Sequence, residues 1–200
     1  MKSLPCLATI VFAAACTTPS ATSSPTSAAT TTPATASTST AGLAPSGADS
    51  GAPTRDDLVG KPAPDFTATA QDGAPVHLAA YKGKRVVLYF YPKDETPGCT
   101  KEACSFRDAW QNLSKTGAVL VGVSADTTDS HKAFAAHYQL PFLLVSDPDG
   151  KLAGDYGVPF AGHHQRQTVV IGADGNVLKV YRKVDVAAHA AQILDDLTGS

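Results

Sequence analysis

The sequence predicts an α/β domain with a mixed central sheet that is largely parallel. Between residues 85 and 197, short apolar runs typical of buried strands alternate with stretches of helical periodicity. Alternation of this kind favours parallel neighbours, because a crossover helix links consecutive strands. Near the C-terminus, two strand-like runs at 168–171 and 177–181 flank the turn sequence Ala-Asp-Gly-Asn at 173–176. That pattern predicts an antiparallel hairpin at one end of the sheet.

The remaining elements follow in order from local patterns. The other predicted strands are short apolar or alternating runs bounded by turn residues, at 64–69, 76–78, 85–91, 118–124 and 142–146. The predicted helices show apolar residues at helical spacing, at 99–113, 130–138, 151–156 (a single turn) and 186–197. Asp129 or Ser130 is the expected N-cap of the second helix. Ala103, Phe106 and Trp110 would form the apolar face of the first.

The chain divides into three parts. Residues 1–16 are typical of an export signal, because Lys2 precedes an apolar stretch too short to span a bilayer. Residues 17–54 are mostly Ala, Thr, Ser, Pro and Gly, and they bury too little apolar surface to offset their ordering entropy, which predicts a disordered tether. Residues 55–200 have globular composition and the length of one domain.

The end of the export signal predicts where the protein resides. Three alanines stand directly before Cys16, which resembles a bacterial lipoprotein signal with an acylated cysteine. This favours a lipid-anchored protein on an extracytoplasmic face of the cell envelope. The alternative is ordinary signal cleavage, which leaves a soluble secreted protein. The net charge of −2, without a block of like charge, argues against a nucleic-acid partner.

Cys99 lies where a predicted strand ends and a predicted helix begins. Backbone N–H groups at a helix N-terminus stabilise an anion, so a thiol there loses its proton more easily and becomes reactive. Cys104 follows five residues later. Once Cys6 and Cys16 are removed or acylated, these two form the remaining pair. A disulfide closing so short a loop would stabilise the fold little, which favours a redox role over a structural one.

The residues around Cys99 resemble a known family. Pro92, Thr96 and Cys99 have the spacing P-x-x-x-T-x-x-C, which is similar to the active-site signature of peroxiredoxins. The string GCTKEACSFRD at 98–108 resembles the peroxiredoxin Q (bacterioferritin comigratory protein) subfamily, and the resemblance extends from about Lys61 to the C-terminus. It implies a thioredoxin-like fold as peroxiredoxins elaborate it, with helices flanking the sheet. It also implies a monomer without a cofactor.

The resemblance implies a role for each site residue. The enzyme would reduce hydrogen peroxide and organic hydroperoxides through Cys99, whose sulfenic acid Cys104 would resolve to a disulfide. A thioredoxin-like protein would then reduce that disulfide. Thr96 would begin the helix, accept from a backbone N–H and donate to the peroxide, while Pro92 would shield the thiolate. Arg166 would lower the thiol pKa and bind the peroxide.

Other polar residues receive simpler interpretations. Lys101, Glu102 and Arg107 would form an exposed helix face, although Glu102 could instead orient Arg166. His163 and His164 would lie in a solvated loop. Two alternative functions stay open: a thioredoxin-like disulfide reductase, which would use C-x-x-C, and a membrane-anchored copper-binding protein of thioredoxin fold. The copper protein would use both cysteines and one of these histidines, but it calls for three residues between the cysteines rather than four.

Overall fold

The central sheet is mixed and has five strands. In the computed structural model, which describes residues 58–199, the strand order is β5-β4-β3-β6-β7. Strands β3, β4 and β5 are parallel, whereas β6 is antiparallel to both β3 and β7. Two of the four pairings are therefore parallel, and the predicted C-terminal hairpin is confirmed. The strands are β3 (Val86–Phe90), β4 (Val119–Ser124), β5 (Leu143–Ser146), β6 (Gln167–Ile171) and β7 (Val177–Tyr181).

Five α-helices accompany the sheet over the described residues, and a separate two-stranded sheet precedes it. The helices are α1 (Pro97–Asp108), α2 (Trp110–Lys115), α3 (Thr128–Tyr138), α4 (Lys151–Asp155) and α5 (His189–Thr198). The small antiparallel sheet pairs β1 (Thr67–Thr69) with β2 (Pro75–His77), and a 3₁₀ turn follows at Leu78–Tyr81. None of the helices within 58–199 is long and apolar enough to cross a membrane.

Both faces of β3 are buried, which explains its unbroken apolar run. Val86, Leu88 and Phe90 join one core cluster, which also contains Leu152 and Ala153 of α4. The alternate residues of β3 join the other cluster, where they pack with residues of α1, α3 and α5, among them Ala103, Phe106, Phe134 and Ile193. Because successive side chains of a strand point to opposite faces, a strand between two layers must be apolar at every position.

Two helix predictions need correction. The helix expected at 99–113 is two helices, since Ala109 has φ −81° and ψ −5° and separates α1 from α2. No glycine or proline marks this break. Helix α3 begins at Thr128 rather than Ser130, and its cap is Thr127, whose hydroxyl accepts from the backbone N–H of Ser130 at 3.2 Å. The cap expected at Asp129 or Ser130 is therefore wrong.

The expected export signal, Cys16 and the whole expected tether at 17–54 lie outside the described residues.

Candidate active site

Cys99 is the third residue of α1, directly beyond the carboxyl end of β3. Thr96 has the extended backbone of an N-cap, and Pro97 occupies the first helical position. The first turn is closed by the N–H of Thr100, which donates to the carbonyl of Thr96 at 2.8 Å. The expected strand-to-helix junction is confirmed. The Cys99 side chain is almost fully covered, with 2% of the residue exposed.

The register of β6 places Arg166 beside Cys99. Phe90, the last residue of β3, pairs with Gln167, the first residue of β6, in an antiparallel arrangement. Arg166 therefore stands immediately before β6 at the end of the sheet where α1 begins. Its Nη2 donates to the Cys99 Sγ at 3.1 Å. This contact places a fixed positive charge and a hydrogen-bond donor directly against the sulfur.

Glu102 completes this cluster from inside the fold. It is fully buried, and its Oε2 pairs with the Nη1 of Arg166. The expected exposed face is therefore wrong for Glu102, whereas the proposed contact with Arg166 is confirmed. Burial raises the pKa of Glu102 to about 7, although the charge and hydrogen bond of Arg166 act in the opposite direction. Burial alone would lower the pKa of Arg166, but Glu102 and the Cys99 sulfur hold it above its ordinary value.

Thr96 makes a different hydrogen bond from the one expected. Its hydroxyl donates to the carbonyl of Lys93 at 2.9 Å and does not accept from a helical N–H. With its proton committed to Lys93, the oxygen keeps its lone pairs as acceptors for a hydroxyl such as the O–H of a hydroperoxide. Pro92 is half-buried in the same loop, between β3 and α1. Its shielding role stays a prediction.

Cys104 lies on the same helix as Cys99, and both thiols are free. Five steps along a regular helix separate their Cα atoms by about 8.7 Å. A disulfide tolerates at most about 7 Å without backbone movement. The two sulfurs can therefore bond only if part of α1 unwinds. Cys104 is half-buried, so it is more accessible than Cys99 in this arrangement.

Asp94 and His131 form a buried pair next to the site that the sequence motif did not reveal. Asp94 is 4% exposed and His131 is fully buried. The carboxylate accepts from the Nδ1 of His131 at 2.9 Å and from the hydroxyls of Tyr91 and Ser130. Asp94 stands at an unspecified position of the motif, between Pro92 and Thr96. Nothing local marked His131, which lies 37 residues further on.

The two adjacent histidines have different environments. His163 is exposed, as expected. His164 is fully buried and its Nε2 bonds the Asp147 carboxylate at 2.9 Å, so its expected solvation is wrong. Within the part of the chain that the structure describes, no three His, Cys, Asp or Glu side chains could hold a metal together. The geometry gives the copper-binding alternative no support.

The AhpC/TSA family matches residues 59–180 of this chain. Among named relatives, the chain is 44% identical over 147 residues to the peroxiredoxin bcp of Coxiella burnetii. That match covers 70% of this chain and 97% of the relative. The chain is 50% identical over 125 residues to the chloroplastic peroxiredoxin Q of Sedum lineare. There the match covers 61% of this chain and 67% of the relative.

Solved structures agree with these relatives. The peroxidoxin BcpB of Mycobacterium tuberculosis superposes with a TM-score of 0.66 at 36% identity, covering 71% of this chain and 97% of that one. The bacterioferritin comigratory protein of Xanthomonas campestris gives a TM-score of 0.63 at 35% identity, covering 67% of this chain and 90% of that one. The Xanthomonas structure was reported in connection with the alkyl peroxide reduction activity of that protein. The predicted thioredoxin-like fold is therefore confirmed.

Proposed function

The chain belongs to the AhpC/TSA family and is a thiol peroxidase of the peroxiredoxin Q type. We propose the following roles for its residues in the reaction. Cys99 is the residue that peroxide oxidises. The observation that carries this assignment is the contact of 3.1 Å between the Arg166 guanidinium and the Cys99 sulfur at a helix N-terminus. Hydrogen peroxide and organic hydroperoxides are the proposed substrates.

The chemical step is a displacement at oxygen. The Cys99 thiolate attacks the terminal oxygen of ROOH, the S–O bond forms and the O–O bond breaks. With one proton taken up, the products are Cys99 sulfenic acid and ROH, so sulfur is oxidised by two electrons and the peroxide is reduced by two. Arg166 stabilises the negative charge as it moves from sulfur to the leaving oxygen. Thr96 accepts from the peroxide hydroxyl and orients it, and Glu102 holds the guanidinium in place.

Cys104 completes the cycle. Its thiol attacks the sulfenic sulfur of Cys99, an S–S bond forms and water leaves. A thioredoxin-like dithiol then exchanges with this disulfide and restores both thiols. Because helix geometry keeps the two cysteines apart, the enzyme alternates between a packed form, in which α1 is helical from Pro97, and an unwound form, in which the first turns of α1 are open.

Amide exchange should detect the unwound form. On oxidation, exchange across 99–107 should rise sharply, because the disulfide opens the helix there, while β3 and β4 stay protected. Reduction should restore the original protection. The measurement is exchange mass spectrometry on both redox states, with the Cys99–Cys104 bond verified by peptide mass.

A Cys104→Ser variant is the control for this experiment. Peroxide oxidises its Cys99 but cannot produce the intramolecular bond, so its helix should keep the protection of the packed form. Equal protection of 99–107 in the reduced and disulfide-bonded wild-type protein would contradict the two-form cycle.

We further propose that the protein is exported, acylated at Cys16 and held at a membrane by the residues that precede the domain. The support is the apolar stretch ending in small residues before Cys16, followed by a region poor in charge. Wild type should fractionate with membranes and Cys16→Ala should not. Equal release of both into the soluble fraction would favour the secreted alternative.

The folded domain is proposed to act as a monomer. Light scattering of a delipidated sample measures its molar mass in solution.

A further inference from the structure

The loop between β3 and α1 is fixed by a buried polar network centred on Asp94. Its carboxylate accepts three side-chain hydrogen bonds: from Tyr91 Oη at 2.7 Å, from Ser130 Oγ at 2.8 Å and from His131 Nδ1 at 2.9 Å. Its backbone N–H donates to Asp126 Oδ2 at 2.8 Å. One loop residue therefore has four directed contacts, although it belongs to no helix or strand.

The network connects the carboxyl ends of three neighbouring strands. Tyr91 directly follows β3. Ser124 ends β4, and its hydroxyl donates at 2.7 Å to the same Asp126 oxygen that receives the Asp94 N–H. The Nε2 of His131 bonds the carbonyl of Val145 in β5 at 3.2 Å. The loop is thus attached to the carboxyl ends of three buried strands.

The contact at the centre of the network joins a buried carboxylate to a buried imidazole. His131 has no exposed surface, and its two ring nitrogens face a carboxylate and a carbonyl, both of which only accept hydrogen bonds. Burial alone would raise the pKa of Asp94, but His131 and the two hydroxyl donors hold it below its ordinary value. Removing one member would leave a buried charge without its partner.

The loop also contains a strained residue between Asp94 and the helix. Glu95 has φ 59°, in the left-handed region that residues with a Cβ rarely adopt. Such a conformation persists only where the surroundings enforce it. On the other side of Asp94, the carbonyl of Lys93 receives the Thr96 hydroxyl. The position of Asp94 therefore determines both the entry into α1 and the direction of the Thr96 oxygen.

We propose that Asp94 and His131 are a positioning pair: they hold loop 92–96 in the form that reacts with peroxide, and they stop the unwinding of α1 from spreading into the sheet. The proposal deepens the thiol peroxidase function and rests on it. Two consequences separate it from a general contribution to stability. Weakening the pair should slow the oxidation of Cys99, because Thr96 loses its orientation. It should not slow disulfide formation, because that step requires α1 to leave the packed form.

Two tyrosines provide a matched test. Tyr91 and Tyr156 are each 1% exposed, and their hydroxyls donate at 2.7 Å to Asp94 and at 2.6 Å to the Pro64 carbonyl. The Tyr91 hydroxyl also lies 3.3 Å from His131 Nδ1, within the same network. Tyr91→Phe therefore removes a buried hydroxyl from the network, and Tyr156→Phe removes one from the other core cluster. Asp94→Asn is the stronger variant, since it removes the charge that faces His131.

The measurement is rapid-quench mass spectrometry of the full-length protein mixed with one equivalent of hydrogen peroxide. It resolves thiol, sulfenic acid and disulfide over time. In Asp94→Asn, sulfenic acid should form about tenfold more slowly than in wild type, as expected for loss of a charge-assisted bond. The subsequent disulfide should form at least as fast. Tyr91→Phe should show the same split to a smaller degree, and Tyr156→Phe should match wild type in both steps.

The outcomes distinguish a positioning role of Asp94 and His131 from a general contribution to stability. Oxidation at the wild-type rate in Asp94→Asn, or equal slowing of both steps in proportion to the lost thermal stability, would overturn the positioning role. If Asp94→Asn does not fold, the comparison of the two tyrosine variants decides: an unchanged rate of oxidation in folded Tyr91→Phe would overturn it as well. Failure of wild type to form sulfenic acid at Cys99 would instead contradict the proposed function itself.

Discussion

Replacing Cys99 with serine should abolish peroxide consumption while leaving the fold intact. The thiolate is the only group in the proposed cycle that attacks oxygen, and a neutral hydroxyl is a far weaker nucleophile. The rate should fall by at least about 10⁴-fold, as is usual when the central nucleophile of a catalytic unit is lost. Serine has nearly the shape of cysteine and can accept from Arg166, so the buried position tolerates it. The measurement is peroxide loss in the presence of a dithiol, alongside thermal unfolding.

The Cys104→Ser variant is the matched control for this result. It keeps the reactive sulfur but cannot form the intramolecular disulfide. It should therefore consume about one equivalent of peroxide rapidly and then slow, whereas Cys99→Ser should show no rapid phase. A folded Cys99→Ser protein that destroys peroxide at the wild-type rate would assign the chemistry to another group.

The second large effect is expected from Arg166→Met. Methionine keeps much of the apolar length of the side chain but removes the donor at 3.1 Å from the Cys99 sulfur. Loss of one donor that stabilises developing charge typically costs about 100- to 1,000-fold in rate. The sulfur also loses its nearest positive charge, so Cys99 should be alkylated more slowly than in wild type. Single-turnover oxidation and the time profile of alkylation at a fixed pH measure these two effects separately.

Arg85→Met is a suitable control for this substitution. Arg85 is also half-buried, but it bonds the Leu197 carbonyl and stands just before β3, at the opposite end of that strand from Cys99. Arg85→Met should leave both the rate of oxidation and the alkylation profile unchanged.

Arg166→Met also leaves the buried Glu102 without its ion-pair partner. Adding Glu102→Gln to Arg166→Met should therefore recover stability without recovering the rate of oxidation. An unchanged rate and profile in Arg166→Met would remove Arg166 from the site.

The sequence was sufficient to place Cys99 in the first turn of a helix beyond a buried strand. The buried strand before Pro92 and the Thr-Pro pair before Cys99 are local signals, and both act within a dozen residues. The position of Arg166 depended on a resemblance, because its proximity to Cys99 follows from the pairing of β6 with β3. That pairing inserts an antiparallel strand into the middle of the sheet. Strand order of this kind depends on long-range packing, and no local pattern encodes it.

The buried charges were the hardest features to predict. Glu102 is flanked by Lys101 and close to Arg107, which is the usual pattern of a solvated helix face. Its burial becomes favourable only because Arg166, 64 residues away, supplies a partner. His131 and His164 are similar cases, since each bonds an aspartate from another loop. A lone charged residue in a sequence is normally exposed, so pairs formed at long range escape detection.

The near-complete burial of the Cys99 sulfur determines the order in which the peroxide and the reducing protein act. In the packed form 2% of Cys99 is exposed, so the thiol of another protein cannot reach its sulfur. A protein-sized dithiol is excluded by bulk, whatever its redox potential. In the proposed cycle the reducing protein therefore acts only on the Cys99–Cys104 disulfide of the unwound form, and so only after a peroxide has been reduced.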